Sequence, residues 1–412
     1  MASSERSGHS RAPRRLRRRG PRRVATRRGF SLVELLVGLA IGAFGLSVAA
    51  YVAQVAVRQS GKGQVQNQLS STSQVIGGQL RDDLSVAAVG STGAIGVTAA
   101  SPLSAVNGLP TAAGWRAIAA VTGVDGAAGG FGGRNVMPGS DIVQVLVPNP
   151  ASALSLGRAV PPGQPAAQLY AAVNLRAAPT VQEAALAAEM NNCALLYVLD
   201  VSGSTGAGRT QLLVRATDQT AFAVGADAQV MCARLTTYWL DNGMNLHASD
   251  WGAGASAAAG RIFMPTATLD TDVVAAGVAD FQVAYRVSAA VAGVATNANA
   301  WVYDAGPISP AEATLGGAPG YPAWFEVRQV RYNLLMRTIR SPETPRASRL
   351  GPAEAMENRP AASMVADLSS GPLGAAAVGG HHTFRRAGST VTLQSMRFFD
   401  RNQIATAAAE PY

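Results

Sequence analysis

The chain has 412 residues, with 34 Lys and Arg against 25 Asp and Glu, and a formal net charge of +9. Residues 1–29 hold 11 Arg, no Lys and one acid, Glu5, a charge of +10, which leaves 9 − 10 = −1 for all later residues. This distribution argues against a nucleic-acid-binding domain, because no basic excess remains in the part long enough to fold. About 325 residues follow the N-terminal helical region, enough to bury a substantial core.

The arginine-rich N-terminus is best explained as a topogenic leader. Clustered Lys and Arg beside an apolar segment are retained on the cytoplasmic side of a membrane, and such charged blocks rarely fold. We therefore assign residues 1–29 no structure of their own. The rest of the chain, from about residue 57, is expected on the outer side of the inner membrane.

An apolar run follows this leader and contains one acid. Residues 30–53 would form a helix about 36 Å long, enough to span a hydrocarbon core of about 30 Å. Leu35 to Ala53 carry no charge, whereas Glu34 lies one residue before them. A carboxylate near the middle of a membrane helix costs on the order of 3 kcal/mol, and less near its end, so Glu34 needs a partner.

The residues around Glu34 read Gly29, Phe30, Ser31, Leu32, Val33, Glu34. They resemble the N-terminal signature of type IV prepilins, without departure from it. The resemblance implies cleavage after Gly29 by a prepilin peptidase and N-methylation of Phe30. It also implies that Glu34 pairs with the N-terminal amine of a neighbouring subunit during filament assembly. The remaining alternative is an ordinary membrane anchor that contains a chance acid.

The segment from residue 58 to 84 predicts an amphipathic continuation of this helix. Apolar residues recur at spacings of three and four, which places them on one face. They are Val65, Leu69, Thr72, Ile76, Leu80 and Leu84. We therefore divide the chain into a leader (1–29), a transmembrane and assembly helix (30–57), an amphipathic continuation (58–84) and an extracytoplasmic β-rich domain (85–412).

Beyond residue 85, short β-type runs alternate with Gly, Ala, Pro and Asn. The predicted strands are Asp141–Val147, Ala194–Val201, Gln211–Arg215, Thr220–Val224, Arg234–Leu240, Asp280–Val287, Phe325–Ile339 and Ser389–Phe399. Helices are predicted at Val181–Asn191 and Ser309–Leu315, and long loops at 90–139, 249–260, 287–307 and 341–380. The expected class is α+β, pilin-like, with a long N-terminal helix packed on a mostly antiparallel sheet.

Cys193 and Cys232 form the only cysteine pair in the chain. An oxidising compartment outside the membrane favours a disulfide between them, worth roughly 4 kcal/mol for a loop of about 40 residues. Two unpaired buried thiols are the alternative. We expect no metal, because neither cysteine has a His or a further Cys at zinc-ligand spacing.

Three C-terminal segments carry a second resemblance. They are VADFQVAYRV (278–287), VRQVRYNLLMRT (327–338) and HHTFRRAGSTVTLQSMRFFDRN (381–402). Their order is similar to that of the PilW-type minor pilins, although here extra residues precede the final Arg401-Asn402. The resemblance implies a subunit that sits at the pilus tip, primes assembly together with other minor pilins and can present a tip adhesin.

The sequence does not predict an enzyme, and we expect no catalytic residue and no cofactor. The stretch GSTGAGRT, from Gly203 to Thr210, nearly matches a phosphate-binding loop, but Arg209 replaces the required Lys. The following QLLVRAT reads as a strand, so no helix N-terminus would face a phosphate. A Gly-rich hairpin is the better interpretation.

Together these features predict a single-pass inner-membrane protein that becomes a minor subunit of a type IV pilus at the cell surface. The expected partners are prepilin peptidase, other minor and major pilins, the inner membrane and a tip adhesin, with no nucleic acid. A J-type pseudopilin of type II secretion is one alternative. The other is an extracytoplasmic binding domain that uses a pilin-like anchor.

Overall fold

The computed structural model of the chain describes residues 31–87, 89, 95–105, 109–110, 115–124, 133–173, 175, 180–200, 209–215, 217–251, 256–257, 263–264, 272–287, 301–302, 314–315, 318–319, 327–337 and 384–393. The chain divides into two compact units, Met1–Lys62 and Gly63–Tyr412. Each unit is described by itself below.

The longest element is the N-terminal helix α1, Leu32–Ser85. Two shorter helices follow, α2 at Ala167–Ala172 and α3 at Val181–Asn192. Helix α3 begins with a capping box, in which Thr180 and Glu183 each bond the other's backbone N–H. Such a box satisfies two donors that the first turn leaves unpaired. The predicted helix at Val181–Asn191 is therefore confirmed.

Nineteen strands lie in the described part of the chain. They are β1 Ile95–Thr98, β2 Leu109–Pro110, β3 Trp115–Ile118, β4 Val121–Val124, β5 Ile142–Pro148, β6 Leu154–Ser155, β7 Leu195–Asp200, β8 Arg209–Val214, β9 Gln229–Leu240, β10 Asn245–Asp250, β11 Ser256–Ala257, β12 Phe263–Met264, β13 Asp272–Ala276, β14 Val278–Val287, β15 Trp301–Val302, β16 Thr314–Leu315, β17 Ala318–Pro319, β18 Val327–Arg337 and β19 Phe384–Thr392.

The largest sheet is organised around β9. Its strand order is β13-β10-β9-β7-β8-β1-β3-β2, with β5 and β6 also paired to β9 and β4 paired to β5. The N-terminal half of β9 pairs with β7 and β6, and its C-terminal half with β10 and β5. The pairings are antiparallel except that of β1 with β8. Because β9 is hydrogen-bonded along its length, it anchors most of the elements discussed below.

A second antiparallel sheet has the order β15-β14-β18-β19. The chain passes from the large sheet into this one at Gly277, between β13 and β14, where φ is +79°. Glycine adopts such a left-handed conformation without a steric penalty, which allows the abrupt change of direction. Side chains from both sheets, among them Tyr238 and Phe281, share one apolar core with the last turns of α1.

The observed elements confirm the α+β class, with a long apolar N-terminal helix followed by a mostly antiparallel β-domain. Six predicted strands coincide with β5, β7, β8, β9, β14 and β18 to within a few residues, and the last one overlaps β19. Strands β7 and β8 pair antiparallel, with Asp200 opposite Arg209, so QLLV is a strand as predicted. The intervening residues 201–208 lie outside the described residues.

Several predictions about the loops and short elements are wrong. Residues 220–224 form no strand and make one isolated bridge, between Val224 and Val160. The predicted loop at 90–139 contains β1 to β4, which are only two to four residues long and lie among Gly- and Ala-rich stretches. Strands β10 and β13 were not predicted. Residues 314–315 are a strand, not part of a helix, and residues 309–313 lie outside the described residues. The domain boundaries at residues 29, 57 and 84 stay a prediction.

Candidate functional site

The first half of α1 is apolar on all its sides. Residues Leu32–Val57 are long and apolar enough to cross a membrane, by length and composition, and none of the most apolar window is buried. The exposed large side chains are Leu32, Val33, Leu35, Leu36, Val37, Leu39, Ile41, Phe44, Leu46, Val48, Tyr51, Val52 and Val57. A helix that is apolar all round requires lipid or other apolar helices around it.

Glu34 lies in the first turn of this helix and is exposed. Ser31 precedes α1, and its Oγ accepts a hydrogen bond from the Glu34 backbone N–H at 3.3 Å. The Ser31 carbonyl accepts from the Leu35 N–H at 3.1 Å, so Ser31 caps the helix. A carboxylate at this position also interacts favourably with the positive end of the helix dipole. Gly29 and Phe30, predicted as the cleavage and methylation sites, lie outside the described residues.

Glu34 shares one helix face with a series of small residues. Gly38, Gly42, Gly45 and Ala49 follow it at spacings of four, four, three and four residues. A Cβ atom built on any of these three glycines would meet nothing within 4 Å. Small residues at such spacing allow two membrane helices to approach closely.

In the second unit, the last turns of α1 enter the apolar core of the β-domain. Leu69, Ile76, Leu80 and Leu84 are buried, which confirms the predicted face, and Thr72 is half-buried. The side chain of Val65 lies outside the described residues.

A buried carboxylate on the same face was not recognised from the sequence. Asp83 accepts hydrogen bonds from the Tyr238 hydroxyl at 2.5 Å and from Arg234 Nη2 at 3.3 Å, both on β9. Burial raises the pKa of Asp83, while Tyr238 and Arg234 partly offset that effect. Burial, together with the Asp83 charge, raises the pKa of Tyr238 as well. The sequence did contain one signal for this burial. Asp83 follows Ile76 by seven residues and Leu80 by three, which places it on the buried face of the helix.

A tyrosine of the second sheet contacts the same helix one and a half turns earlier. The Tyr332 hydroxyl of β18 donates to the Gly77 carbonyl at 2.7 Å. A Cβ on Gly77 would lie 3.4 Å from that hydroxyl, so the glycine gives Tyr332 close access to the helix backbone.

Residues 25–50 match a family model described as "Prokaryotic N-terminal methylation motif". The match covers the sites predicted at Gly29, Phe30 and Glu34 and the small-residue face up to Ala49. The N-terminal segment is that of a type IV prepilin-like protein. No curated protein and no solved structure matches the chain.

The prepilin-like chain also contains a disulfide between Cys193 and Cys232, whose Cα atoms are 5.8 Å apart. Cys193 caps the C-terminal end of α3, and Cys232 lies in β9. The bond therefore joins a peripheral helix to the central strand of the large sheet.

The turn between β9 and β10 of this prepilin-like chain is held by a second carboxylate. Asp241 accepts from the backbone N–H of Asn245 at 2.7 Å, and its Oδ2 lies 2.9 Å from Nε2 of His247. The His247 ring stacks on Trp239, with ring centroids 4.4 Å apart. Burial acts to raise the pKa of Asp241, but the hydrogen bonds from His247 and Asn245 outweigh it and lower the pKa.

Proposed function

We propose that this chain is a minor pilin of a type IV pilus, cleaved after Gly29 by prepilin peptidase and methylated on Phe30. It enters the filament through its apolar helix and primes assembly at the tip. The observation that carries the proposal is the prepilin-type motif at residues 25–50, which coincides with an exposed, all-apolar helix bearing one acid, Glu34.

The helix supplies a physical route for assembly. Burying its exposed apolar side chains against other subunit helices replaces lipid contacts by close packing, which the small residues Gly38 to Ala49 favour. Glu34 lies on that same face, so a neighbouring N-terminal amine would meet the carboxylate where the helices approach most closely. A charge pair of this kind fixes the axial register of two helices, because a shift leaves both charges unpaired in apolar surroundings.

The PilW-type assignment is supported by the arrangement of the three C-terminal segments. Two of them form β14 and β18, and the described part of the third forms β19. These strands are consecutive neighbours in one antiparallel sheet. The similar segments thus make up one structural unit in which each strand holds the next.

We further propose that the β-domain is not an enzyme. It lies outside the inner membrane before assembly and on the pilus at the cell surface afterwards. Several buried acids of the described domain bind its own backbone: Asp218 accepts from the Val214 N–H, Asp200 from the Gly225 N–H, and Asp141 from the Val283 N–H. Carboxylates used in this way stabilise loops and strand edges. Its partners would be other minor and major pilins and a tip adhesin.

Replacing Glu34 by Ala tests the proposal. The variant should insert into the membrane normally and be depleted at least about tenfold from sheared filaments. Removing one partner of a buried charge pair costs about 3–5 kcal/mol, more than the ~1.4 kcal/mol of a tenfold change. Asp82→Asn, which removes an exposed acid from the same helix, is the matched control and should assemble normally. Normal incorporation of Glu34→Ala would refute the role of this residue.

A J-type pseudopilin has the same type of N-terminal motif, so a second readout must separate the two assemblies. Deletion of the gene should remove or reduce surface pili and leave type II secretion intact. Loss of secretion with normal pili would assign the chain to the secretion filament instead.

A further inference from the structure

Helix α3 is an exposed element that contacts the domain mainly at its C-terminal end. Val181, its first residue, is 90% exposed, and Ala184, Ala185 and Ala188 are exposed as well. Among the described side chains of α3, Met190 is the buried one. The half-buried residues Glu183, Leu186 and Ala187 lie on the same face at spacings of three and four residues.

A helix of this length needs tertiary support. Isolated helices shorter than about 12–15 residues are marginal in water, even when they are rich in alanine. The capping box of Thr180 and Glu183 fixes only the first turn, and the contact between Asn149 and Glu189, at 3.4 Å, is exposed. The strongest remaining connection is the disulfide, which follows directly after the last turn.

This disulfide lines an open cavity. The cavity has a volume of about 740 Å³, and its wall includes Leu195, Trp251, Glu189 and both cysteines. Cys193 is half-buried, whereas Cys232 is buried. A small dithiol can therefore reach the Cys193 sulfur without unfolding the sheet that contains β9.

We infer that the Cys193–Cys232 disulfide is a redox-controlled tether: the oxidised form holds α3 as a docked helix, and reduction releases it. A thiolate of the dithiol attacks the sulfur of Cys193, the S–S bond breaks, and Cys232 leaves as a thiolate that takes up a proton. The second thiol of the reagent then displaces Cys193 from the mixed disulfide. The products are two cysteine thiols and the oxidised, cyclic dithiol.

Release has a structural consequence beyond the helix. Met190 belongs to the smaller apolar cluster of the domain, together with Leu169, Leu196 and Val230. When α3 leaves, the place occupied by Met190 opens and one wall of the cavity is lost. The shape of the cavity therefore depends on the redox state of the compartment. Helix α3 docks fully only after the disulfide has been oxidised.

Hydrogen exchange measured by mass spectrometry on the full chain in detergent micelles tests this inference, with and without dithiothreitol. On reduction, amides of α3 should exchange at least about tenfold faster and approach the rates of an unfolded peptide, while those of β7 and β9 remain protected although the disulfide no longer stabilises the fold. Unchanged exchange in α3 would show that the helix docks without the tether. Equal loss of protection throughout the sheet would show that the disulfide stabilises the whole domain, which also contradicts the inference.

Two variants sharpen the test. Cys193→Ser combined with Cys232→Ser should reproduce the exchange of the reduced protein without any reagent. In the oxidised state, Met190→Ala removes the main packing contact but keeps the tether, and α3 should stay within about threefold of its normal exchange rate. If oxidised Met190→Ala loses as much protection as the reduced protein, side-chain packing holds the helix and the inference fails.

Discussion

The hydroxyl of Tyr332 donates a hydrogen bond to the backbone carbonyl of Gly77 at 2.7 Å. Six residues further along the same helix, Tyr238 donates to the carboxylate of Asp83. The two tyrosines come from different sheets, since Tyr332 lies in β18 and Tyr238 in β9. The last turns of α1 are thus fixed to both sheets of the β-domain by directional bonds as well as by apolar packing.

Tyr332→Phe should lower the free energy of unfolding of the β-domain by about 1 kcal/mol, because it removes the hydrogen bonds of the hydroxyl, including the partly buried one to Gly77, and leaves the ring in place. The measurement is urea unfolding followed by near-UV circular dichroism. Tyr51→Phe, at an exposed position of α1, serves as the control and should have no effect. A change within error for Tyr332→Phe would show that the bond does not contribute to docking.

Gly123→Ala should destabilise the β-domain by about 1–3 kcal/mol, the usual cost of forcing a group into a packed core. A Cβ on Gly123 would overlap the hydroxyl of Tyr285, which passes over this strand. The matched control is Gly78→Ala, because a Cβ there meets nothing within 4 Å. This control should stabilise the helix by about 0.5–1 kcal/mol.

Combining Gly123→Ala with Tyr285→Phe isolates the cause. Loss of the hydroxyl removes the closest contact and leaves the ring carbon Cζ at 2.9 Å from the added Cβ, so the double variant should recover part of the lost stability. Purely additive effects of the two substitutions would contradict the packing explanation.

Asp83→Asn should change how stability depends on pH. Since burial raises the pKa of Asp83 above its unfolded value of about 3.9, the native state binds the proton more tightly than the unfolded state. The resulting stabilisation is present below pH 4 and is lost as the pH rises through the folded pKa. Asn cannot titrate, so the variant does not lose this stabilisation. The free energy of unfolding of the variant minus that of the native protein should therefore increase as the pH rises from 4 to 7.

Urea midpoints measured from pH 4 to pH 7 check this expectation. Arg234 is 52% exposed and also lies 3.7 Å from Asp250, so the substitution does not leave a buried, uncompensated cation. A loss of more than about 3 kcal/mol at pH 7 would mean that the ionised pair is required for docking.

Asp241→Asn should have the opposite pH signature. Hydrogen bonds from His247 and Asn245 lower the pKa of Asp241 in spite of its partial burial. Its stabilisation is therefore present above the unfolded pKa and is lost as the pH falls through the folded value. The variant should be less stable than the native protein at pH 6 and approach it near pH 3, as measured by thermal unfolding at each pH. A constant difference across that range would contradict the assignment.

Helices α1 and α3 could be predicted from the sequence because their signals are local, whereas the six-residue helix α2 was not predicted. The motif around Glu34 and the spacing of Leu69, Ile76, Leu80 and Leu84 lie within single helical stretches. Asp83 was interpreted as part of a charged cap because its partners, Tyr238 and Arg234, are more than 150 residues away. Its position on the buried face was visible, but its ion pair was not.

The β-domain was harder to predict for two physical reasons. Strands such as β3 and β4 are four residues long, the lower limit of a recognisable strand pattern, and they lie among Gly- and Ala-rich stretches typical of loops. Strand β10 follows β9 through a short turn, but the pairing of β9 with β5, β6 and β7 is set by contacts distant in sequence, which no local pattern contains.

The most direct test of the central claim is an intact-mass and N-terminal peptide analysis of the protein recovered from membranes. The account predicts a mature chain that begins at N-methylated Phe30, without residues 1–29. A chain that still begins near Met1, or one cut at another site, would contradict prepilin processing and leave α1 as a plain membrane anchor.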